Sequence, residues 1–169
     1  KKYIYPKKRC IIGDGQANGV LGAHLIFPKA KIFSINLSET LINDYIIIKE
    51  LDFDLYSSTK LVDKLDFNIN KSKLFLIPSS LKDFLLNKNI DLFINIASFQ
   101  EMKVEEINRY FNIIKSNKSK LYCCNRAYKK LIGGEELYFN KYPWGNCKTI
   151  FWEDCPWHQK LYSEKPPFI

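Results

Sequence analysis

The sequence predicts an α/β protein. Its expected architecture is a three-layer, doubly wound sheet, mostly parallel, with helices on both faces and an antiparallel hairpin near the C-terminus. Three observations lead there. Five short apolar runs alternate with segments of helical period. The run Asp91–Ala97 (DLFINIA) is apolar on both faces, as a strand in a doubly covered parallel sheet must be. After Cys124 the alternation stops, and aromatic-rich stretches separated by Pro143, Gly145 and Asn146 give the pattern of a hairpin.

The first strand covers Arg9–Gly13 and leads into Ile11-Ile12-Gly13-Asp14-Gly15-Gln16-Ala17-Asn18-Gly19. A strand, a glycine loop and a helix in that order bring backbone N–H groups up to a nucleotide-like ligand. Gly13 and Gly15 have no Cβ, so they accept a positive φ and allow close approach. The spacing is G-x-G-x-x-x-G and not the dinucleotide fingerprint G-x-G-x-x-G, and a plain tight turn accounts for the stretch equally well. Asn18 is the candidate N-cap of a helix carrying Val20, Leu21, His24 and Leu25, which Pro28 ends.

Lys31–Asn36 (KIFSIN) is the second strand, and Ser38 caps a helix whose apolar face runs from Leu41 to about Leu51. Leu51–Asn70 is mixed, with a helical pattern around Ser58–Leu65. Lys73–Ile77 is a third strand closed by Pro78, and Ser80 caps a helix to about Asn87. Asp91–Ala97 is the fourth strand, Val104–Ile114 a helix, and Ser119–Cys124 the fifth strand. Glu136–Asn140 and Thr149–Glu153 are the expected hairpin strands at the sheet edge. The chain reads as one domain, 1–169. In such a sheet a ligand lies outside the carboxyl ends of the strands. Those ends are Gly13–Asn18, Asn36–Glu39, Pro78–Ser80, Ala97–Met102 and Asn125–Tyr128.

Composition bounds the function. The 169 residues can bury a proper core, and 46% hydrophobic with 26% charged residues is ordinary for a globular protein. No apolar run is long enough to span a bilayer, and the basic start has no apolar core of a signal peptide. Five cysteines, with Cys10, Cys123 and Cys124 in apolar runs, fit reduced thiols better than disulfides, so a cytoplasmic location is expected. Cys147, Cys155 and His158 lack paired C-x-x-C spacing, so no metal is expected. The net charge is +8, with basic residues gathered at the N-terminus and between Lys115 and Lys120. That charge suits either an anionic partner or a solvated face. No aromatic-basic RNA motif accompanies it, so nucleic acid is not expected as a partner.

Four stretches together are more specific: Ile12-Gly13-Asp14-Gly15, Asn36-Leu37-Ser38-Glu39-Thr40-Leu41, Ser98-Phe99-Gln100-Glu101-Met102 and Cys124-Asn125-Arg126. With Tyr142-Pro143-Trp144 and Cys155-Pro156-Trp157-His158, they resemble the sugar O-methyltransferases of bacterial surface-glycan clusters. That family has the class I S-adenosylmethionine-dependent methyltransferase fold, which is Rossmann-like. The resemblance extends from the first strand to about His158. It departs from the general methyltransferase pattern at three positions. Ile11 stands where an acid usually precedes the first glycine, Ala17 stands at the third glycine, and Asn36 replaces the acid that binds the ribose hydroxyls. An amide still donates and accepts hydrogen bonds but lacks charge-assisted strength. The family also has covering residues before the first strand, whereas this chain begins a few residues ahead of it. A trimmed enzyme or a fragment is the expectation.

The resemblance implies S-adenosylmethionine as cofactor and a sugar or glycan hydroxyl as acceptor. Gly13, Asp14, Gly15 and Ala17 would line the methionine end, Asn36 and Leu37 the ribose, Pro78 and Ser79 the adenine. Ser98 through Glu101 would face the sulfonium, with Gln100 touching the acceptor. Glu101 and His158 are the leading candidates for the general base, ahead of His24, which shares a helix face with Leu21 and Leu25. Glu101 also suits a helix N-terminal carboxylate. Trp144 and Trp157 could stack on a sugar face, although late aromatics also build hairpin cores. Arg126 could hold an anionic substrate group or pair with a neighbour. Two other classes stay open: a methyltransferase-like binding domain without catalysis, and, with less support, a nicotinamide-dependent oxidoreductase.

Overall fold

The computed structural model describes residues 7–64, 71–155 and 168–169. Its main sheet has six parallel strands: β1 (Lys8–Ile12), β2 (Lys31–Asn36), β3 (Thr59–Leu61), β4 (Leu74–Pro78), β5 (Leu92–Ile96) and β6 (Lys120–Cys124). They lie in the order β3-β4-β2-β1-β5-β6. The helices are α1 (Asn18–Ile26), α2 (Ser38–Leu51), α3 (Phe53–Ser57) and α4 (Val104–Ser116). Short 3-10 turns follow β4 at Ser79–Leu85 and β5 at Phe99–Glu101.

The period-2 alternation of strand side chains builds two cores. Cys10, Ile12, Phe33, Ile35, Phe75, Ile77 and Phe93 face one side and meet Ile107, Tyr110, Phe111 and Ile114 of α4. Ile11, Ile32, Leu74 and Leu76 face the other and meet Val20 of α1, Leu41 and Ile48 of α2 and Leu55 of α3. Both faces are therefore covered, which is why these strands read as nearly continuous apolar runs.

Three expectations change. The helical pattern around Ser58 gives way to α3 and then to β3, which pairs with Leu74–Leu76 of β4. Pairing with that sheet edge satisfies three residues' backbone groups, which outweighs a weak local helical preference. Residue 65 of the expected helix lies outside the described residues. The antiparallel hairpin exists, but as a separate two-stranded sheet of β7 (Tyr128–Lys130) and β8 (Glu136–Tyr138). Its turn comes from Gly133-Gly134 rather than Pro143–Asn146, and a Tyr128–Tyr138 ring contact of 5.1 Å closes it. Thr149–Glu153 is not a strand. The expected caps also change. Ala17 and Leu37 precede α1 and α2, and neither Asn18 nor Ser38 serves as the cap.

Phe93 lies on β5, between β1 and the edge strand β6, fully buried against α4's core. Phe93→Ala is expected to lower the unfolding free energy by about 4 kcal/mol in urea titration, through lost transfer energy and a cavity. A loss under about 1 kcal/mol would place this face outside the core.

Candidate functional site

Every pairing in the main sheet is parallel, so the carboxyl ends of its strands open on one edge. The chain leaves β1 for β2 on one side, while β5 pairs on the other. This makes the β1–β5 crevice a topological switch point, the place where open α/β sheets hold ligands.

Gly13 and Gly15 have φ of 73° and 77°. A Cβ at Gly13 would collide with Ser98, whereas the space around Gly15 is open. Gly13 N–H donates to the Ile35 carbonyl at 2.8 Å, which ties the loop to β2. Asp14 turns inward. Its two carboxylate oxygens accept from Gly19 N–H at 2.7 Å and Val20 N–H at 2.8 Å, capping α1. Burial raises the Asp14 pKa, and these two bonds pull it back. The carboxylate thus takes donors that would otherwise meet an anion.

Ala17 has φ 55°, and its N–H donates to buried Asp44 of α2 at 2.9 Å. Burial and the charge of Asp14 push Asp44 up to about 6 from 3.8, while the Ala17 N–H and the Asn36 amide hold it down. Asp44 Oδ2 and Asn36 Nδ2 are both buried, and neither completes a well-formed hydrogen bond.

A buried amide network braces the β1–β5–β6 ends. Asn95 Nδ2 donates to the Ile12 carbonyl and to Ser98 Oγ, and Ser98 Oγ donates to the same carbonyl. Asn95 Oδ1 accepts from Phe99 N–H and from Asn125 Nδ2. Asn125 Oδ1 accepts from Gln100 N–H, and Gln100 Oε1 accepts from Arg126 N–H at 2.8 Å. In an apolar interior each of these groups would cost free energy if left alone, so together they fix the edge.

Beside the glycine loop lies a cleft of ≈ 390 Å³, lined by Gly13, Asn36, Leu37, Ser79, Lys82 and Glu106 among others. Lys82 is 7% exposed. It pairs with Glu106 at 2.8 Å and donates to the Ser79 carbonyl at 3.1 Å. A larger cavity of ≈ 550 Å³ lies against β6 and α4, and it shares no lining residue with the cleft.

The structure brings Gly13, Asn36, Leu37 and Ser79 together around the cleft and sets Pro78 next to Ser79 at the end of β4. Gly15 and Ala17 complete the loop. Two expected contact residues turn out to be braces. Ser98, expected at the cofactor, supports the Gly13 turn, and buried Gln100, expected at the acceptor, joins the ends of β5 and β6. Asp14 caps its helix, as described. Glu101 is exposed at the edge and pairs with Lys129 at 3.2 Å. The Arg126 guanidinium lies over the Phe168 ring at 5.0 Å. Trp144 does not face the cleft. Its ring packs edge-on to Phe111 at 5.1 Å, and its Nε1 donates to the Phe139 carbonyl. His24 pairs with Asp52 at 3.6 Å, and neither residue lines the cleft. Trp157 and His158 lie outside the described residues.

Among the described residues, no three metal-ligating side chains converge. Burial pushes the Cys123 and Cys124 thiols up to about 12, so neither is a ready thiolate. Asp44, Lys82 and Glu106 carried no local signal, because each is one polar residue on a helical face. Asn95 did carry one: an amide inside an apolar strand must find partners.

No family profile matches this sequence, and no curated protein matches it. Solved structures similar to it include "PigF with SAH", at TM-score 0.49 and 8% identity over 75% of this chain and 33% of that one. The methyltransferase domain of bacterial CtHen1 is another, at TM-score 0.46 and 14% identity over 72% of this chain and 58% of that one. The chain therefore spans about a third and somewhat over half of these two structures.

Asp44 gives a pH-dependence. Its native pKa of about 6 lies above its ordinary 3.8, so the native state holds the proton more tightly. Its contribution to stability is complete below about pH 4 and falls as the pH rises through about 6. Asp44→Asn should flatten the urea midpoint against pH across that window. An unchanged slope would show that Asp44 does not titrate there.

Proposed function

We propose that this chain is an S-adenosylmethionine-dependent methyltransferase acting on a hydroxyl of a sugar or surface-glycan precursor. One observation carries the reading. A single cleft gathers Gly13, Asn36 with Leu37, and Ser79, the positions that the family resemblance gives to the methionine, ribose and adenine parts of that cofactor. The residues fit the group. Gly15 presents open backbone, Asn36 lines the cleft, and the volume is in the range of cofactor sites. Bound there, the cofactor supplies an electrophilic methyl group.

The chain's own part is alignment and proton removal. The glycine loop, held by Ser98 and Asp44, sets one wall. Asn36 and Ser79 set the other. Glu101, exposed at the same edge beside Lys129, would accept the proton of the acceptor hydroxyl. Arg126, next to this edge, offers positive charge to an anionic acceptor. A cytoplasmic setting fits the reduced thiols, and no described helix is long and apolar enough to cross a membrane.

A second reading, a methyltransferase-like domain that binds without catalysis, draws on two features. Asp14 occupies the N–H groups of α1, and Asn36 stands where an acid would grip ribose. Calorimetric titration with S-adenosylhomocysteine, with NAD as control, tests both. Binding of the first alone is expected, and Gly15→Asp should abolish it by filling the open loop position. Failure to bind, or equal binding in the variant, would overturn the site. Glu101→Gln should bind S-adenosylhomocysteine normally but lose about a hundredfold in turnover with an accepted sugar. Unchanged turnover would remove Glu101 as base and favour another group.

A further inference from the structure

The cavity of ≈ 550 Å³ against β6 and α4 has no role in the cleft chemistry, and neither does the basic stretch Lys115–Lys120. The structure puts the two together. Lys115, at the end of α4, and Lys120, at the start of β6, line the cavity with Lys148 from the segment opposite. Among the described residues, none of these three lysines has a carboxylate within ion-pair distance. Lys115 Nζ leans over Gly145, 3.5 Å from where a Cβ would stand.

The remaining walls carry the rings of Phe111, Tyr122, Phe139, Trp144, Phe151 and Trp152, with aliphatic and small polar side chains and one acid, Glu153, among them. Trp144 is fixed by its bond to the Phe139 carbonyl and by its contact with Phe111. Trp152 stands edge-on to Phe139 at 5.2 Å and to Trp144 at 6.5 Å, yet remains 54% exposed. Phe151 is 61% exposed and meets Tyr122 of β6 at 6.4 Å. A core would bury these rings. Here flat apolar faces line a cavity of cofactor size, and unpaired ammonium groups stand among them.

We propose that this cavity is a second binding site, for a nucleotide-type ligand. Its planar base stacks on Trp152 and its phosphate meets Lys115, Lys120 and Lys148. Three lysines against the single Glu153 carboxylate favour this occupant over a neutral sugar, and a volume of ≈ 550 Å³ matches one bound nucleotide. The proposal does not rest on the methyltransferase reading, because cleft and cavity share no residue.

The test is tryptophan fluorescence of the full chain titrated with uridine 5′-monophosphate, whose base differs from adenine. Saturable quenching is expected, with uridine and inorganic phosphate each at least tenfold weaker. Lys120→Glu with Lys148→Glu, both on exposed side chains, should weaken the nucleotide at least tenfold and leave S-adenosylhomocysteine affinity unchanged. Trp152→Leu should remove most of the quenching and weaken binding as measured by calorimetry. S-adenosylhomocysteine should not displace the nucleotide. Absence of saturation, equal binding of uridine, no effect of the lysine substitutions, or displacement by S-adenosylhomocysteine would each overturn the site. A uridine oligonucleotide binding more than a hundredfold tighter would assign the surface to single-stranded nucleic acid instead.

Discussion

The bond between the side chains of Asn95 and Asn125, 2.8 Å long and fully buried, is the constraint on which the functional edge depends. Two amides in an apolar sheet interior are stable only when nearly all their donors and acceptors are used. Asn95 spends its groups on the Ile12 carbonyl, Ser98 Oγ and Phe99 N–H. Asn125 spends its own on Gln100 N–H and the Cys123 sulfur as well as on Asn95. Through these partners, the last residue of β1 and the loops after β5 and β6 become one rigid unit. Gly13 must then be glycine, because Ser98 occupies the space its side chain would need.

Opposite that unit, the glycine loop is held by acids rather than by amides. Asp14 and Asp44 each accept backbone N–H groups, and the Asp14 charge raises the proton affinity of Asp44. Close carboxylates with an uncompleted oxygen are a source of strain. The neighbouring Asn36 amide is the nearby group able to relieve it. The loop is therefore held on the β5 side by Ser98 and on the α2 side by Asp44.

Much of this was legible in the sequence. Both-face apolar runs located the parallel strands, and the carboxyl-end rule located the edge where Gly13, Asn36 and Ser79 meet. What escaped has a common physical cause. The short strand β3 exists only because β4 offers it an edge, so residues 59–61 carry no pattern of their own. Ser98 and Gln100 lie in the right place but point into the network, and only partner atoms far along the chain decide that. Lys82 and Glu106 pair across 24 residues between a 3-10 turn and α4, beyond any local periodicity. In sequence Trp144 suits either a sugar platform or a packed core, and its neighbours make it part of an aromatic wall away from the cleft.

Helix α4 thus separates two environments, with Glu106 and Tyr110 on the cleft and Phe111 and Lys115 on the cavity. The most direct test of the account is amide NMR of the ¹⁵N-labelled chain titrated with S-adenosylhomocysteine. The account predicts shifts at Gly13, Gly15, Asn36, Leu37 and Ser79, with Lys120, Tyr122 and the Trp152 indole unmoved. Shifts confined to the cavity side, or none at the glycine loop, would contradict it.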